Sequence, residues 1–255
     1  MEQSGEMTFW DHLEDLRKCI FRIMAVFASV TVCLFFFKRF LFDNLILAPS
    51  KADFFLYRLL GADVSISLVN IEVAAQFMIH MKVTFVVALI LSFPYFIYEV
   101  WKFVSPALYS NEKKAVGGAF AFASALFYTG VAIGYLLLFP LMLNFFAGYQ
   151  VSPDVPNTFS LSSYISLLTS TVITFGIVFE FPTIVALLSG LGILTRESLQ
   201  GFRRYALIIV VVLAAVITPS GDPFSLMVVS IPLYVLYEFS ILVCRKKPKE
   251  EEIED

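Results

Sequence analysis

Six long apolar runs constrain this chain of 255 residues more than any other feature of its sequence. Hydrophobic residues make up 59% of the chain and charged residues 15%, whereas soluble domains carry about 25% charged residues. A run of roughly 20 apolar residues can cross a hydrocarbon layer about 30 Å thick as a helix. The sequence therefore predicts an all-α membrane protein with six transmembrane helices. The predicted spans are residues 19–41, 74–98, 115–143, 163–190, 205–218 and 223–243.

The fifth run is unusually short. Its stretch "YALIIVVVLAAVI" at 205–217 corresponds to about 20 Å of helix, roughly 10 Å less than an average bilayer core. The sixth run is longer but contains Pro232 and Glu238. A short span thins the bilayer, tilts little or packs against protein, so we expect thinned lipid beside the last hairpin.

The positions of Lys and Arg predict the orientation of the chain. Of the 18 basic residues, 13 cluster before the first run, in the second and fourth connections and after the last run. Lys38, Arg39, Lys51 and Arg58 lie on the opposite side, and Lys82 lies within the second run. Because cytoplasmic loops carry an excess of Lys and Arg, both termini are predicted to be cytoplasmic. Residues 1–245 are predicted to form one domain, followed by an acidic disordered tail at 246–255.

Two polar stretches lie at the predicted cytoplasmic surface. In "HLEDLRK" at 12–18, Glu14 and Asp15 either form ion pairs within a solvated helix or offer an acidic patch to a basic peptide. The second stretch, "FPYFIYEVWKFVSPALYSNEKK" at 93–114, is rich in interfacial aromatic residues. Its prolines predict a kinked, fixed backbone, and its Glu112 is either an ordinary loop charge or part of a site.

One carboxylate stands inside an apolar run. Glu180 in "TFGIVFEFPTIVALL" has no basic neighbour in sequence, and an ionisable group at membrane depth usually marks function or a wet cavity. A structural hydrogen bond to another helix is the alternative. Pro182 leaves the carbonyl of Val178 without its helical donor, so the helix is predicted to be locally open.

Smaller features complete the candidate positions. Asp222 lies in "TPSGDPFS", which turn chemistry alone would explain. Gly130 and Gly134 form a GxxxG pattern that allows a close helix crossing. Lys82 is predicted to snorkel outward or to face a cavity, and Glu238 is predicted to reach the interface or Arg245.

Several activities are disfavoured by what the sequence lacks. It contains no HExxH, P-loop or GxGxxG motif. Its three cysteines form no CxxC, and its two histidines fall on opposite predicted sides of the membrane. No basic surface exceeds the positive-inside pattern. We therefore expect no enzyme activity, no cofactor, no metal and no nucleic-acid partner.

The quoted motifs, with "FYTGVAIGY", resemble the TatC family of twin-arginine protein translocase components over about residues 8–245. The resemblance implies a cupped, glove-like bundle of six helices with short fifth and sixth helices, in the cytoplasmic (inner) membrane of a prokaryote. It implies binding of folded precursors through signal peptides with paired arginines. It also implies oligomeric assembly with single-span TatA and TatB partners in the lipid bilayer. Transport by this assembly is implied to be powered by the proton-motive force.

The resemblance also assigns roles to individual residues. The signal-binding acids of the family correspond to Asp15, where Glu is usual, and Glu112; Glu14 could replace Asp15 through its longer reach. Further family positions correspond to Arg17, Pro49, Phe103, Glu180 and Asp222. Glu180 is implied to meet a polar residue of a TatA- or TatB-type helix.

A small-solute secondary transporter is the alternative function, with Glu180 and Lys82 as an ion relay. Such transporters commonly contain inverted repeats with interrupted helices at matching positions, and no such symmetry is visible in the sequence. An intramembrane hydrolase lacks its catalytic set.

Overall fold

The computed structural model describes residues 9–61, 66–104, 113–190, 192–218 and 221–244, and the described chain is mostly helical, as predicted. The helices are α1 Phe9–Phe36, α2 Lys38–Phe40, α3 Phe55–Leu60, α4 Ala75–Val104, α5 Lys113–Ile133, α6 Phe139–Gly148, α7 Leu161–Val178, α8 Phe181–Gly190, α9 Arg196–Gly201, α10 Arg203–Ile217 and α11 Pro223–Val243. Two π-helical segments lie at Leu41–Ile46 and Gly134–Leu138, and a 3-10 turn at Ala48–Ser50.

Within the part of the chain that the structure describes, five helical stretches are long and apolar enough to cross a membrane, which indicates a multi-pass membrane protein. They are His12–Phe36, Ala75–Phe103, Ala121–Gly148, Leu161–Gly190 and Pro223–Val243.

The boundaries correct the predicted spans in part. The first helix begins and ends earlier than residues 19–41, because the polar "HLEDLRK" stretch is itself helical. The prolines do not end their helices: α4 continues through Pro94 to Val104, and α11 continues through Pro232. The run around Glu180 does break, into α7 and α8, as its proline predicted.

Only one of the last two helices is short. Helix α10 has 15 residues, about 22 Å at 1.5 Å per residue. Helix α11 has 21 residues and reaches about 31 Å, so the expectation of a short sixth helix is wrong.

Contacts within the chain divide it into two compact units. Unit 1 comprises Met1–Leu47 with Glu72–Ala125, and unit 2 comprises Ala48–Ile71 with Leu126–Asp255. Helix α5 therefore contributes to both. A single domain over residues 1–245 stays a prediction.

In unit 1, α1 packs along α4. The ring of Phe27 lies 6.1 Å from that of Phe85 and 6.3 Å from that of Phe96. Such spacings suit aromatic pairs, so aromatic contacts hold the apolar part of the two helices together.

In unit 2, the core includes Leu138, Phe175, Val229 and Leu233. Helices α5 and α7 cross closely: a Cβ added at Gly130 would overlap the carbonyl oxygen of Phe175. A Cβ at Gly134 would lie 3.1 Å from the Cα of Val172. Glycine spacing permits this approach of two backbones, so the suggested close crossing is confirmed.

Unit 2 also contains a small structure that the apolar pattern does not predict. Strand β1, Leu68–Val69, pairs in parallel with strand β2, Phe159–Ser160. Two residues are too few for a periodic signal. Ser160 also caps α7 by accepting a hydrogen bond from the backbone N–H of Ser163.

Candidate functional site

The start of α1 and the end of α4 meet in unit 1. The rings of His12 and Phe103 stack with centroids 4.3 Å apart. Glu14, Asp15 and Arg17 follow His12 on α1, and their side chains are exposed. Four predicted signal-binding residues thus lie on two helices joined by a ring contact.

The charged side chains at the start of α1 differ in whether they have an interaction partner. Glu14 pairs with Lys18 at 2.9 Å, one helical turn away, and the Arg17 guanidinium lies 5.5 Å from the centre of the Phe21 ring. Within the described part of the chain, Asp15 forms no ion pair. Asp15 is therefore the carboxylate most available to a ligand.

A cleft opens beside these side chains. It has a volume of about 480 Å³ and is lined by Glu14, Arg17, Lys18, Phe21 and Arg22. All five lining residues belong to α1 and three of them are basic, so the cleft presents more positive than negative charge.

A buried polar cluster, which the sequence analysis missed, joins the same two helices. Arg22 donates from Nε and Nη2 to Oε2 of Glu99 at 2.9 and 2.8 Å, and the Tyr95 hydroxyl donates to Oε1 at 2.8 Å. Only 3% of Glu99 is exposed. Both carboxylate oxygens are thus satisfied by charge-assisted or phenolic donors. Tyr95 and Glu99, four residues apart in an apolar helix, were the available sequence signal.

Glu112, the second predicted signal-binding acid, lies outside the described residues, in the connection between α4 and α5. The structure therefore brings together Glu14, Asp15, Arg17 and Phe103 of the predicted set.

Glu180 lies at the break between α7 and α8 in unit 2. Its N–H donates to the carbonyl of Ile177 at 3.0 Å, and its own carbonyl accepts from Ile184 at 3.0 Å. Its Oε1 and the hydroxyl of Thr183 are buried and have no hydrogen-bond partner among the described residues. A buried polar atom without a partner is costly, so this position is suited to accept a donor from outside the chain.

The other two predicted positions have structural contacts. Asp222 caps α11 by accepting a hydrogen bond from the N–H of Ser225 at 2.8 Å, which agrees with its turn-forming alternative. The buried Pro49 accepts a 2.9 Å hydrogen bond at its carbonyl from the hydroxyl of Tyr57. Burial raises the pKa of Tyr57 far above its ordinary value, so this phenol remains a donor.

The structure also shows the contacts of two weaker candidates, His80 and Glu238. The His80 ring has its centroid 4.4 Å from that of Phe35, with the rings stacked, and 5.9 Å from that of Phe42, with the rings edge to face. These contacts give His80 a packing role. Glu238 pairs with Arg203 at 2.7 Å, whereas the sequence predicted the interface or Arg245 as its destination.

Comparison with known proteins identifies the family. The model of the Sec-independent protein translocase protein (TatC) family matches residues 11–232. The chain belongs to the TatC family. It is 36% identical to the TatC of Blattabacterium, over 94% of this chain and 96% of the relative. It is 35% identical to the TatC of Escherichia coli K12, over 92% and 86% of the two chains.

Solved TatC structures share its fold. A crystal structure of the twin-arginine translocase receptor TatC superimposes with a TM-score of 0.75 and 30% identity, covering 91% of this chain and 97% of that chain. A second TatC structure gives a TM-score of 0.77 and 29% identity over 92% and 99% of the chains. This TatC-family protein is thus a component of a protein translocase, a class that is not enzymatic.

Proposed function

We propose that this protein is the core receptor of a twin-arginine translocase. It binds the paired arginines of a precursor's signal peptide at the surface formed by the start of α1, the end of α4 and the connection that contains Glu112. The observation that carries this proposal is the exposed Asp15, which has no ion pair among the described residues, on a helix start that His12 and Phe103 join to α4.

The chemistry of arginine explains how such a surface would select its ligand. A guanidinium presents several N–H donors in a planar fork that a carboxylate accepts at two points, whereas a lysine ammonium is a compact point charge. Two carboxylates, Asp15 and Glu112, can therefore distinguish two neighbouring arginines from two lysines by geometry. Glu14 is the second candidate, because its ion pair with Lys18 must break before its carboxylate can bind an arginine.

Signal crosslinking tests this assignment directly. Replacing both Asp15 and Glu112 by alanine is expected to abolish crosslinking of a twin-arginine signal peptide, because both acceptors of the guanidinium forks are lost. Glu197→Ala is the matched control: it removes an exposed acid from α9, which the charge pattern also places on the cytoplasmic side. Wild-type crosslinking by the double variant would remove these two acids from the site.

The proposal includes six spans with both termini in the cytoplasm. Helix α10 would be the fifth span despite its 15 residues, and the five longer stretches would supply the rest. Cysteines introduced at Ser152 and Arg196 test this: an impermeant thiol reagent added outside spheroplasts should label position 152 and leave position 196 unlabelled. The reverse pattern would invert the topology and place Asp15 on the wrong side.

We also propose that Glu180 receives a polar side chain from a TatA- or TatB-type transmembrane helix within an oligomeric complex. The support is its buried Oε1, which has no partner among the described residues. A Glu180→Cys variant should react with a small water-soluble thiol reagent when TatA and TatB are absent and be protected when they are present. A position that reacts only with a lipid-soluble reagent faces hydrocarbon, which contradicts a polar docking site.

The small-solute transporter is not proposed, because the matched family model and relatives are protein translocase components. Transport powered by the proton-motive force, without ATP or a bound cofactor, belongs to the proposal through family membership alone.

A further inference from the structure

The connection between the first two long apolar helices contains a short helix, α3, that is apolar on both of its faces. Leu56 and Tyr57 are buried and belong to a core cluster of unit 2. Phe55, Leu59 and Leu60 instead expose 65%, 70% and 52% of their surfaces. A helix that faced water would carry polar residues on that outer face, so the surroundings of α3 need a different explanation.

The inner face of α3 packs against the span that α5 and α6 form. The ring of Phe54, the residue before α3, meets the ring of Tyr135 edge to face, with centroids 5.9 Å apart. Leu141 and Ala147 pack against the same core cluster. All of these contacts are to one helical stretch, Ala121–Gly148, that is long and apolar enough to cross a membrane. Helix α3 therefore lies alongside a transmembrane span and not beyond its end.

Helix lengths place this contact within the membrane. The stretch Ala121–Gly148 has 28 residues and measures about 42 Å, roughly 12 Å more than the hydrocarbon core that it crosses. Tyr135 precedes Gly148 by 13 residues, which is about 20 Å along the helix. Even if the whole excess projected from the membrane at the Gly148 end, Tyr135 would lie about 8 Å below the hydrocarbon boundary. The contact between Phe54 and Tyr135 is therefore at the depth of acyl chains.

The residues beside this contact face the membrane as well. Helix α3 contacts the π-helical segment Gly134–Leu138. Leu136 and Leu137 of that segment are exposed, and exposed leucines within a transmembrane span face the hydrocarbon layer. The outer face of α3 therefore lies next to side chains that already face the membrane.

The size of the outer face favours lipid over a protein partner. At roughly 150–200 Å² for a whole side chain, the exposed parts of Phe55, Leu59 and Leu60 amount to about 350 Å². A stable protein interface takes about 800 Å² from each partner. Insertion into a lipid surface has no such minimum, because its strength simply scales with the apolar area buried.

We propose that α3 is an interfacial helix, which inserts its three exposed apolar side chains among the acyl chains of the leaflet at the Gly148 end of the span. Interfacial helices bury an apolar face about 5–10 Å into the boundary between headgroups and acyl chains, which agrees with the depth of the Tyr135 contact. By the proposed topology this is the outer leaflet. The insertion of α3 does not depend on that orientation.

The charged residues of this segment are compatible with an interfacial position. Arg58 pairs with Asp53 at 3.0 Å, and both side chains are exposed. A long arginine side chain can lay its apolar stem along a hydrophobic surface while its charged end stays in a polar layer. The pair can therefore remain among the headgroups while the neighbouring Leu59 lies deeper.

Fluorescence quenching in a membrane tests the depth of α3. Phe55→Cys and Leu59→Cys are made in a Cys33→Ser background, because Cys33 is exposed whereas Cys19 and Cys244 are buried. The full-length variants are labelled with a small fluorescent dye and reconstituted into phosphatidylcholine nanodiscs. We expect lipids with a nitroxide near the headgroup end of the acyl chain to quench both dyes strongly. Lipids with the nitroxide near the terminal methyl should quench them less, since an interfacial helix lies shallow.

Two control positions in unit 2 set the scale. Asp154→Cys labels an exposed residue in the connection after α6, and Leu136→Cys labels an exposed residue of the span. Iodide in the water should quench the dyes at positions 55 and 59 about threefold less than the dye at position 154. Because every substituted side chain is exposed, the thermal unfolding midpoints should stay within about 2 °C of the background protein. Leu60→Cys replaces either α3 variant that fails to fold.

Two results would overturn the proposal. Iodide quenching at positions 55 and 59 as strong as at position 154 would place α3 in water. Protection of both positions from iodide and from nitroxide lipids alike would place them against protein, such as a second copy of the chain. Neither result affects the proposed signal-peptide site, because α3 lies in unit 2 and Asp15 in unit 1.

Discussion

Glu99 in unit 1 and Glu180 in unit 2 both lie in apolar stretches of the chain, and their surroundings differ completely. In unit 1, Glu99 receives both Arg22 and Tyr95, so neither of its oxygens lacks a donor. In unit 2, Oε1 of Glu180 is buried and has no hydrogen-bond partner among the described residues. The carboxylate of Glu99 has hydrogen-bond donors within the fold, whereas Oε1 of Glu180 could still accept a donor from another molecule.

The difference teaches how to interpret an acidic residue in a membrane span. Low exposure alone does not indicate a docking site, since Glu99 is the less exposed of the two to solvent. What distinguishes Glu180 is the missing donor. Buried ion pairs are costly to break from one side, because the remaining charge stays desolvated. Glu99 therefore matters to the joint between α1 and α4, whereas the role of Glu180 in assembly is the one proposed above.

The largest expected effect comes from breaking the pair in unit 1. Arg22→Leu leaves Glu99 buried with only the Tyr95 hydroxyl as donor, so the thermal unfolding midpoint in detergent should fall by on the order of 10 °C. Signal-peptide crosslinking should weaken with it, because α1 and α4 carry the proposed site. An unchanged midpoint would show that Glu99 does not need its arginine.

A smaller effect is expected from the corresponding pair in unit 2. The pair of Arg203 with Glu238 also has a tyrosine four residues before the acid. The hydroxyl of Tyr234 donates to Oε1 of Glu238 at 3.2 Å. Here 35% of the Glu238 side chain is exposed, against 3% for Glu99. Water can replace the lost partner, so Arg203→Leu should shift the midpoint by less than about 3 °C. A shift as large as that of Arg22→Leu would mean that burial does not decide the difference.

The smallest effect on stability is expected at the unpaired acid. Glu180→Gln keeps the shape of the side chain and breaks no ion pair among the described residues, so its unfolding midpoint should stay within about 2 °C of the wild type or rise slightly. Its copurification with TatA or TatB should decrease nonetheless, because a neutral amide binds a polar partner differently. A large loss of stability with normal copurification would make Glu180 a structural residue like Glu99.

Hydrophobicity explains why much of the fold was predictable. Apolar runs of sufficient length cannot remain in water, so their approximate positions follow from the sequence. Exact ends do not, because Pro94 and Pro232 are tolerated within α4 and α11. The parallel pairing of β1 with β2 was invisible, since its residues lie about 90 positions apart and form no periodic pattern.

The candidate site residues likewise divide into those that local sequence identifies and those that depend on contacts distant in sequence. Glu180 was identifiable because no basic residue lies near it in sequence, and the structure leaves its Oε1 without a donor among the described residues. Glu99 was missed because its arginine lies 77 residues away along the chain. Tertiary contact alone pairs them. The sequence also could not show that Lys18 forms its ion pair with Glu14, which leaves Asp15 without an ion pair among the described residues.

The glycine contact between α5 and α7 has a mechanical consequence. At Gly130 the α5 backbone lies against the carbonyl of Phe175 and the side chain of Phe179, so any residue larger than glycine there would have to push α5 and α7 apart. The seam between these two helices therefore tolerates no added volume at this position.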